Sequence, residues 1–344
     1  MTTTPEVTVV VCSHNGERTL AACLSALARL DDHDRFQIVV VDDGSTDSTG
    51  AIADASGFEV IHLRPNGGLS AARNAGIGAA RAPLIAFTDD DCVPPPSWVV
   101  QIRDAWQTMP DSVTCLGGQV RAAHTDSLNR RYVAWREPLR PIPIDVTTGA
   151  TFFQRLIRYV RGPEKFHSDE GVQPVTSVVG ANMSYRASAL ARIGGFNPLR
   201  TFSGDETWVS RQLRDTFGPH TVMCHPDIEM SHDFDRAFTD TLRRAFHYGI
   251  GSGRDAVLRT EPISLQPLAG VVVLSWVAAP WCWEVPVAIT ALLPWLLHLD
   301  AIPAVKRTRS ALLFPCMVVA EEACNNVGWF VGVWRTFRRQ RARR

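Results

Sequence analysis

The stretch Leu84-Ile85-Ala86-Phe87-Thr88-Asp89-Asp90-Asp91-Cys92-Val93-Pro94-Pro95-Pro96 decides how this chain is read. An apolar run of strand length ends in a cluster of carboxylates and is closed by prolines. An extended chain sends alternate side chains to one side, so Asp89 and Asp91 are expected to converge while Asp90 faces away or toward a neighbouring strand. Converging carboxylates suit a hard divalent cation that shares its oxygen ligands with a diphosphate. An isolated acidic run before proline is also ordinary solvated turn chemistry. Its meaning therefore depends on what the neighbouring strands deliver.

Working outward, Val7 to Cys12, Gln37 to Val41, Glu59 to Leu63 and Pro83 to Phe87 read as strands, alternating with helical patterns over 17–30, 46–56 and 70–80. Leu20, Cys23, Leu24, Leu27 and Leu30 recur at helical spacing. This alternation predicts an α/β fold with a parallel sheet covered by helices and ligands outside the carboxyl ends of the strands. The polar residues stand at those ends: Ser13-His14-Asn15-Gly16, Asp42-Asp43-Gly44-Ser45, Arg64-Pro65-Asn66-Gly67-Gly68 and the acidic run. A dehydrogenase would carry GxGxxG after its first strand, and SHNG stands there instead. Asp42 is placed to accept from a base or ribose donor, although Asp-Gly after a strand is also a common turn. Amides following Gly67-Gly68, together with Arg73, can meet a phosphate at a helix start; a glycine turn and a surface arginine explain the same string.

At 344 residues, 45% hydrophobic and 20% charged, the chain can build one large or two ordinary domains, which excludes a disordered or fibrous class. Its formal net charge of zero gives no field that calls for nucleic acid. Charge is nevertheless uneven, because Arg335, Arg338, Arg339, Arg341, Arg343 and Arg344 crowd the end without an acid. The 8 cysteines show no CxxC pair and no zinc spacing, and read as reduced core residues in a cytoplasmic setting. The opening MTTTPEVTVVV has no basic n-region and does not read as a secretory signal.

The ordered segments VVVCSHNGERTLAACLSAL, IVVVDDGSTDST, NGGLSAARNAGIGAA, LIAFTDDDCVPPPSW, VVGANMSYRASALARIGGFN and SGDETWVSRQLRDTFG resemble the family 2 glycosyltransferases of the GT-A fold. The resemblance runs over roughly residues 6 to 255. It implies a Rossmann-like nucleotide half with a mixed sheet (1–120), an acceptor half (121–258), and inverting transfer from a nucleotide diphosphate sugar. It places Ser13, His14 and Asn15 beside the nucleoside, Asp42 on the base and Arg73 toward the diphosphate. Asp89 and Asp91 match the family's DxD, with Asp89 on the ribose or shared with the metal, Asp91 binding Mn²⁺ or Mg²⁺, and Asp90 a weaker nucleotide-site candidate. Such an ion would stabilise the diphosphate leaving group. Within Val178 to Tyr185, Gly180, Ala181 and Asn182 are implied to position the acceptor and donor sugar, while a strand with a glycine bulge accounts for the same residues.

Asp205-Glu206 stands where the family commonly has Glu-Asp. Register with the following VSRQL makes Glu206 the expected base and Asp205 its close alternative; an acidic pair is also favoured at any helix N-terminus. His232, which follows a strand pattern over Asp227 to Ser231, is implied to complete the metal shell in preference to His225. The expected donor is a UDP-sugar, with GDP- and dTDP-sugars as alternatives.

Residues 259–344 lie outside the resemblance. Leu268 to Trp283 and Val285 to Leu299 are apolar but shorter than the roughly 20 residues of a spanning helix. A third apolar stretch, Ala311 to Trp334, is interrupted by Glu321, Glu322, Asn325 and Asn326. Trp276, Trp281, Trp283, Trp295, Trp329 and Trp334 suit a membrane interface, and the arginine-rich end suits an anionic leaflet. Arg243, Arg244, Tyr248 and Arg254 fit a lid, a diphosphate contact or a lipid-facing helix. The expectation is a C-terminal apolar helical region seated peripherally or shallowly at the cytoplasmic face of a membrane; a buried helical subdomain or a dimer interface is the alternative. The acceptor class that follows is a lipid-linked or cell-envelope glycan. A soluble transferase acting on a small metabolite and a non-catalytic carbohydrate-binding scaffold are the competing functions.

Overall fold

Strand β1 (Val7–Ser13) is buried along its whole length and pairs in parallel with β2 (Phe36–Asp43) and β4 (Leu84–Asp89). Runs of β-branched residues buried on both faces are what a covered parallel sheet requires. The computed structural model describes residues 4–141, 143–144, 171–198, 204–258, 265–278, 280, 282–299 and 301–342. By internal contacts the chain divides into two units, the first comprising residues 1–123, 137–150 and 164–234, the second residues 124–136, 151–163 and 235–344.

In the first unit β3 (Glu59–Leu63) extends the parallel edge, and β8 (Met183–Arg186) joins β4 antiparallel. Beyond it come β6 (Cys115–Ala122), β9 (Val222–His232) and the two-residue β5 (Cys92–Val93), giving the order β3-β2-β1-β4-β8-β6-β9-β5 with β7 (Gln173–Pro174) on β9. The mixed sheet that the resemblance implies is thus present, with the parallel strands read from the pattern on one side of it. Helices α1 (Leu20–Leu27), α2 (Thr49–Asp54), α3 (Leu69–Ala79) and α4 (Trp98–Thr108) follow the strands as the periodicity predicts. Both α1 and α2 are shorter than expected, because residues just before α2 tie the first two strand ends together. Asp47 accepts N–H bonds from Glu17 and Thr49, and the Thr49 hydroxyl accepts from Gly16 N–H at 2.8 Å.

Close approach of α3 to β1 needs Gly76, since a Cβ there would lie 2.3 Å from Val10 Cγ1. The proline stop after the acidic run leads straight into α4, whose Trp98 and Trp106 are buried. Their indole N–H groups donate to Asn182 Oδ1 and Ser184 Oγ, both at 2.9 Å. Each such ring removes about 150–250 Å² from water, an upper contribution of roughly 4–6 kcal/mol. The helices α6 (Ala187–Ile193) and α7 (Asp205–Phe217) complete the unit among the described residues.

The second unit contains α5 (Leu128–Arg136), α8 (Phe238–Val257), α9 (Pro267–Ser275), α10 (Glu284–Leu297), α11 (Ala301–Arg307) and α12 (Phe314–Ala342). Its central pair is α8 against α12. A Cβ on Gly249 would lie 2.0 Å from Asn325 O, and one on Gly328 would lie 2.0 Å from Phe246 O. Gly253 and Gly332, one turn further, repeat the arrangement against Trp329 O and Ile250 O. Helix backbones therefore touch where only glycine fits. The polar residues that interrupt the third apolar stretch are used here: Glu322 accepts Ala269 N–H at 3.1 Å and Asn326 accepts Gln266 N–H at 2.8 Å, which satisfies the start of α9. The stretch Arg243 to Arg254, expected as a lid or lipid-facing segment, lies within α8, with Arg243 on Asp240, Arg244 on Asp235 and Arg254 on Asp255. Of the cysteines expected in cores, Cys12, Cys23, Cys92, Cys115 and Cys224 are buried, Cys324 is half-buried, and Cys282 and Cys316 are exposed.

Candidate active site

The acidic run does not continue as a strand. β4 ends at Asp89, Asp90 and Asp91 form a turn, and the chain resumes as β5. The alternation that would converge Asp89 and Asp91 therefore stops at Asp89, two residues short of Asp91, and each aspartate has a different neighbour. Asp89 accepts from Arg73 Nη2 at 3.3 Å, Asp90 accepts a short bond from Ser13 Oγ, and Asp91 Oδ1 lies 3.2 Å from His232 Nε2. The last contact follows from sheet register, because β5 pairs antiparallel with β9 and sets Cys92 opposite His232. Gly16 makes room for the second, since a Cβ there would fall 2.0 Å from Asp90 Oδ2. Burial first, then the charges of Asp91 and Asp89, push the Asp90 carboxyl up to about 7, with the Ser13 bond opposing.

Arg73, expected to face a diphosphate, is buried. Its Nη1 donates to Asp205 Oδ2 at 2.5 Å while Nη2 reaches Asp89, so one guanidinium bridges the end of β4 and the start of α7. Phe196 packs on it at 5.4 Å, and a Cβ at Gly180 would lie 2.5 Å from Nη2. Next to it Asn74 accepts from Phe196 N–H at 2.8 Å and donates to Phe196 O at 2.7 Å. The Arg73-Asn74 pair thus holds the GGFN segment and the acidic pair from a single helix. Phe196 lay inside a quoted segment without an assigned role; an aromatic beside a glycine pair is its only sequence signal.

Burial works to raise the Asp205 carboxyl, but the Arg73 charge and hydrogen bonds from Glu206 and Arg73 overcome it and hold the group below the usual carboxylate range. Glu206 moves the other way, pushed well above its ordinary value by burial and then by the charge and hydrogen bond of Asp205. The adjacent acids are thereby separated: Asp205 is an anion locked to arginine, and Glu206 has the greater affinity for a proton.

The loops assigned to the nucleoside are tied to one another. His14 Nδ1 lies 2.9 Å from Asp43 O, Asn15 Oδ1 accepts Thr46 N–H at 2.9 Å, and both His14 and Asn15 are exposed. Asp42 differs from its expected role, because its carboxylate is fully buried and already engaged. Ser45 N–H donates to Oδ1 at 3.0 Å, while His62 Nδ1 at 2.9 Å and Arg64 Nη2 at 3.4 Å meet Oδ2. Burial opposes these donors, but they hold Asp42 below the usual range; the Asp42 and Asp54 bonds raise His62. Sequence reading placed Arg64 at a strand end without a partner and passed over His62, since only strand pairing reveals that residue 62 lies opposite residue 42.

The acceptor trio separates. Gly180 is half-buried against Arg73, while Ala181 and Asn182 are buried. Asn182 receives the Trp98 indole and donates to Gln119 O and Ile228 O at 2.9 and 3.0 Å, so its amide holds β6, β9 and α4 together rather than facing an acceptor. Val178 to Tyr185 is a loop and a strand: Gly180 and Ala181 form a turn, bridged from Val179 to Asn182, and the strand begins at Met183.

For a divalent ion, Asp91, Cys92 and His232 bring ligand atoms within 4.8 Å of one another. Burial, then Asp91 and Asp89, push the Cys92 thiol well up, so it stays protonated and is a poor ligand. One carboxylate and one imidazole with the remaining positions left to phosphate oxygens is a donor set that fits Mn²⁺ or Mg²⁺. Asp89, expected to share the ion, stands outside this group and on Arg73.

A sequence model described as Glycosyl transferase family 2 matches residues 8–194. The putative glycosyltransferase EpsH of Bacillus subtilis (strain 168) is 38% identical over 117 residues, 33% of this chain and 33% of that protein, so the match spans a third of the relative's length. Glucosyl-dolichyl phosphate glucuronosyltransferase of Haloferax volcanii is 24% identical over 208 residues, covering 58% of this chain and 59% of that protein. Among solved structures, the mannosyltransferase PcManGT from Pyrobaculum calidifontis, in complex with GDP-Man and Mn²⁺, superposes with a TM-score of 0.55 at 16% identity, over 97% of this chain and 88% of that one. At that identity the likeness is one of fold, the GT-A arrangement.

Proposed function

Because this chain belongs to glycosyl transferase family 2, we propose that it moves a sugar from a nucleotide diphosphate sugar, with inversion, to a lipid-linked or cell-envelope glycan acceptor met at a membrane surface. The observation that carries this reading is the pairing of two adjacent acids with opposite proton affinities, Asp205 and Glu206, joined through Arg73 to the acidic turn. The dolichyl phosphate in the name of the Haloferax relative supports the acceptor class. The GDP-Man and Mn²⁺ of the Pyrobaculum complex keep GDP-sugars beside UDP- and dTDP-sugars as donors.

In this reading ionised Glu206 takes the proton of the acceptor hydroxyl. The freed oxygen attacks the anomeric carbon, and the bond from that carbon to the diphosphate oxygen breaks, its electron pair leaving with the nucleoside diphosphate. Asp91 and His232 would hold Mn²⁺ or Mg²⁺, which when bound supplies charge stabilisation for that leaving group. Arg73 is engaged by Asp89 and Asp205; it keeps Asp205 ionised, and the Asp205 charge raises Glu206 while the Arg73 charge works the other way. Ser13, His14 and Asn15 line the nucleoside side, with Asp42 shaping that edge from beneath.

The test is turnover of a panel of UDP-, GDP- and dTDP-sugars onto polyprenyl-phosphate-linked acceptors by the wild type, Glu206→Gln and Asp205→Asn. Glu206→Gln is expected to lower kcat by about 10²–10⁴-fold, the usual worth of a positioned base. Unchanged rates in both variants would remove the assignment.

A further inference from the structure

Helix α12 reverses the polarity usual for a helix in water. Glu322 and Asn326 bond the start of α9, and Asn325 donates to Ala245 O at 3.3 Å. On the outside stand Val327, Phe330, Trp334 and Phe337, exposed by 56%, 60%, 56% and 55%. At about 100° per residue these positions fall in an arc of about 80°, roughly opposite the Gly328 and Gly332 face that touches α8. A single exposed leucine needs no explanation, but an apolar stripe on the outer face of a helix does.

The same unit repeats the pattern. Helix α9 packs on α12 and exposes Val273 and Leu274, followed by Val277, while α10 exposes Val285, Leu292 and Leu296 along one face. The Trp276 indole donates to Thr290 Oγ1 at 3.0 Å and joins the end of α9 to α10. Most exposed large apolar side chains among the described residues lie between Val271 and Phe337. The α12 stripe then runs into Arg335, Arg338, Arg339 and Arg341, with the Arg338 guanidinium 4.9 Å from the Trp334 ring. No single described helix is long and apolar enough to cross a membrane.

We propose that the outer faces of α12, α9 and α10 form a docking surface for one leaflet of an anionic bilayer, with α12 lying along the interface. Phe330, Trp334 and Phe337 enter the boundary between headgroups and acyl chains, and Arg338 and Arg341 on the same side of the helix meet lipid phosphates. A second copy of the chain would cover the apolar stripe but leave the arginines uncompensated, whereas an anionic leaflet satisfies both. The proposal rests on this surface and not on transfer chemistry, so vesicle binding without turnover and turnover without vesicle binding separate the two readings.

The experiment is co-sedimentation of the full chain with vesicles of phosphatidylcholine alone or with phosphatidylglycerol, together with a light-scattering mass and circular dichroism of each variant. Binding to the anionic vesicles is expected, with a blue shift of tryptophan emission. Phe330→Ser with Trp334→Ser should weaken it on both vesicle types. Arg338→Gln and Arg341→Gln, on the same side of the helix as the stripe, should each weaken only the anionic binding, by about fivefold. Folded protein that sediments with neither vesicle would overturn the proposal. So would a stable dimer that Phe330→Asp dissociates without any change in vesicle binding.

Discussion

Arg73 and Asp205, 132 positions apart in the chain, meet at 2.5 Å where neither side chain reaches solvent. The second arm of the same guanidinium holds Asp89. Removing one member of a buried pair leaves an uncompensated charge, which typically costs about 3–5 kcal/mol. Arg73→Met should lose that much in urea unfolding. Arg73→Lys should also lose stability, because an ammonium cannot span both carboxylates as a planar fork does. If Arg73→Met unfolds at the wild-type midpoint, the bridge is not structural.

The proton affinity of Glu206 sets the acid side of the pH profile. Its carboxyl must be ionised to accept a proton, and its value in the free protein lies well above an ordinary glutamate. kcat/KM should therefore fall as pH drops through a raised value. Asp205→Asn removes the neighbouring negative charge and should move that limb to lower pH. A limb that stays in place in Asp205→Asn would dissociate the two acids.

At the proposed metal site, Asp91→Asn and His232→Ala should each weaken Mn²⁺ binding by more than the roughly 10–100-fold typical of outer-shell changes. Cys92→Ser should leave it unchanged, since its thiol is held protonated. Titration followed by Mn²⁺ electron paramagnetic resonance, with a nucleoside diphosphate present, reads all three. Chelation should remove transfer, and added Mn²⁺ should restore it.

The Asp42 and His62 contact gives a stability signature. His62 is raised in the folded state, so its contribution is complete below about pH 6.5 and is lost as pH rises through the folded value. Asp42 is depressed, so its contribution is present above about pH 4 and is lost as pH falls through its folded value. The pair is at full strength between these limits. Tm measured against pH should decline on the alkaline side, and His62→Gln should flatten that decline.

Alanine in place of glycine normally strengthens a helix by about 1 kcal/mol. Gly249→Ala and Gly328→Ala should do the opposite, because each added carbon would meet a backbone oxygen of the facing helix. A loss of about 1–3 kcal/mol in thermal or urea unfolding is expected. A gain in either variant would mean that α8 and α12 separate freely.

The parallel strands of the first unit were legible because burial on both faces writes itself as Val7 to Val11 and Ile38 to Val41, and the covering helices because leucines recur at their spacing. Local pattern could not reveal pairing between distant segments. Nothing near Asp42 announces His62, and nothing near Asp91 announces that a two-residue strand will set Cys92 against His232. The reading of Asp89 and Asp91 as converging extended pleat alternation two residues past the end of β4, into the turn. Asn182 was assigned through the resemblance of VVGANMSY and not from its own surroundings, and here its amide is consumed by Trp98, Gln119 and Ile228.

Helix α5 sits in the middle of the chain yet belongs to the second unit. Its Tyr132 is fully buried, with its hydroxyl on Glu321 and its ring against Phe314 and Phe238, and Trp135 stacks on Phe314 at 5.3 Å. A chain shortened near residue 258 would strip these aromatics of their cover and create a sticky scar inside the remaining protein. Solubility is therefore better sought by repainting Phe330, Trp334 and Phe337 than by cutting. The C-terminal helices are stitched into the chain at two distant places, so they cannot be exchanged among relatives as a cassette unless α5 travels with them.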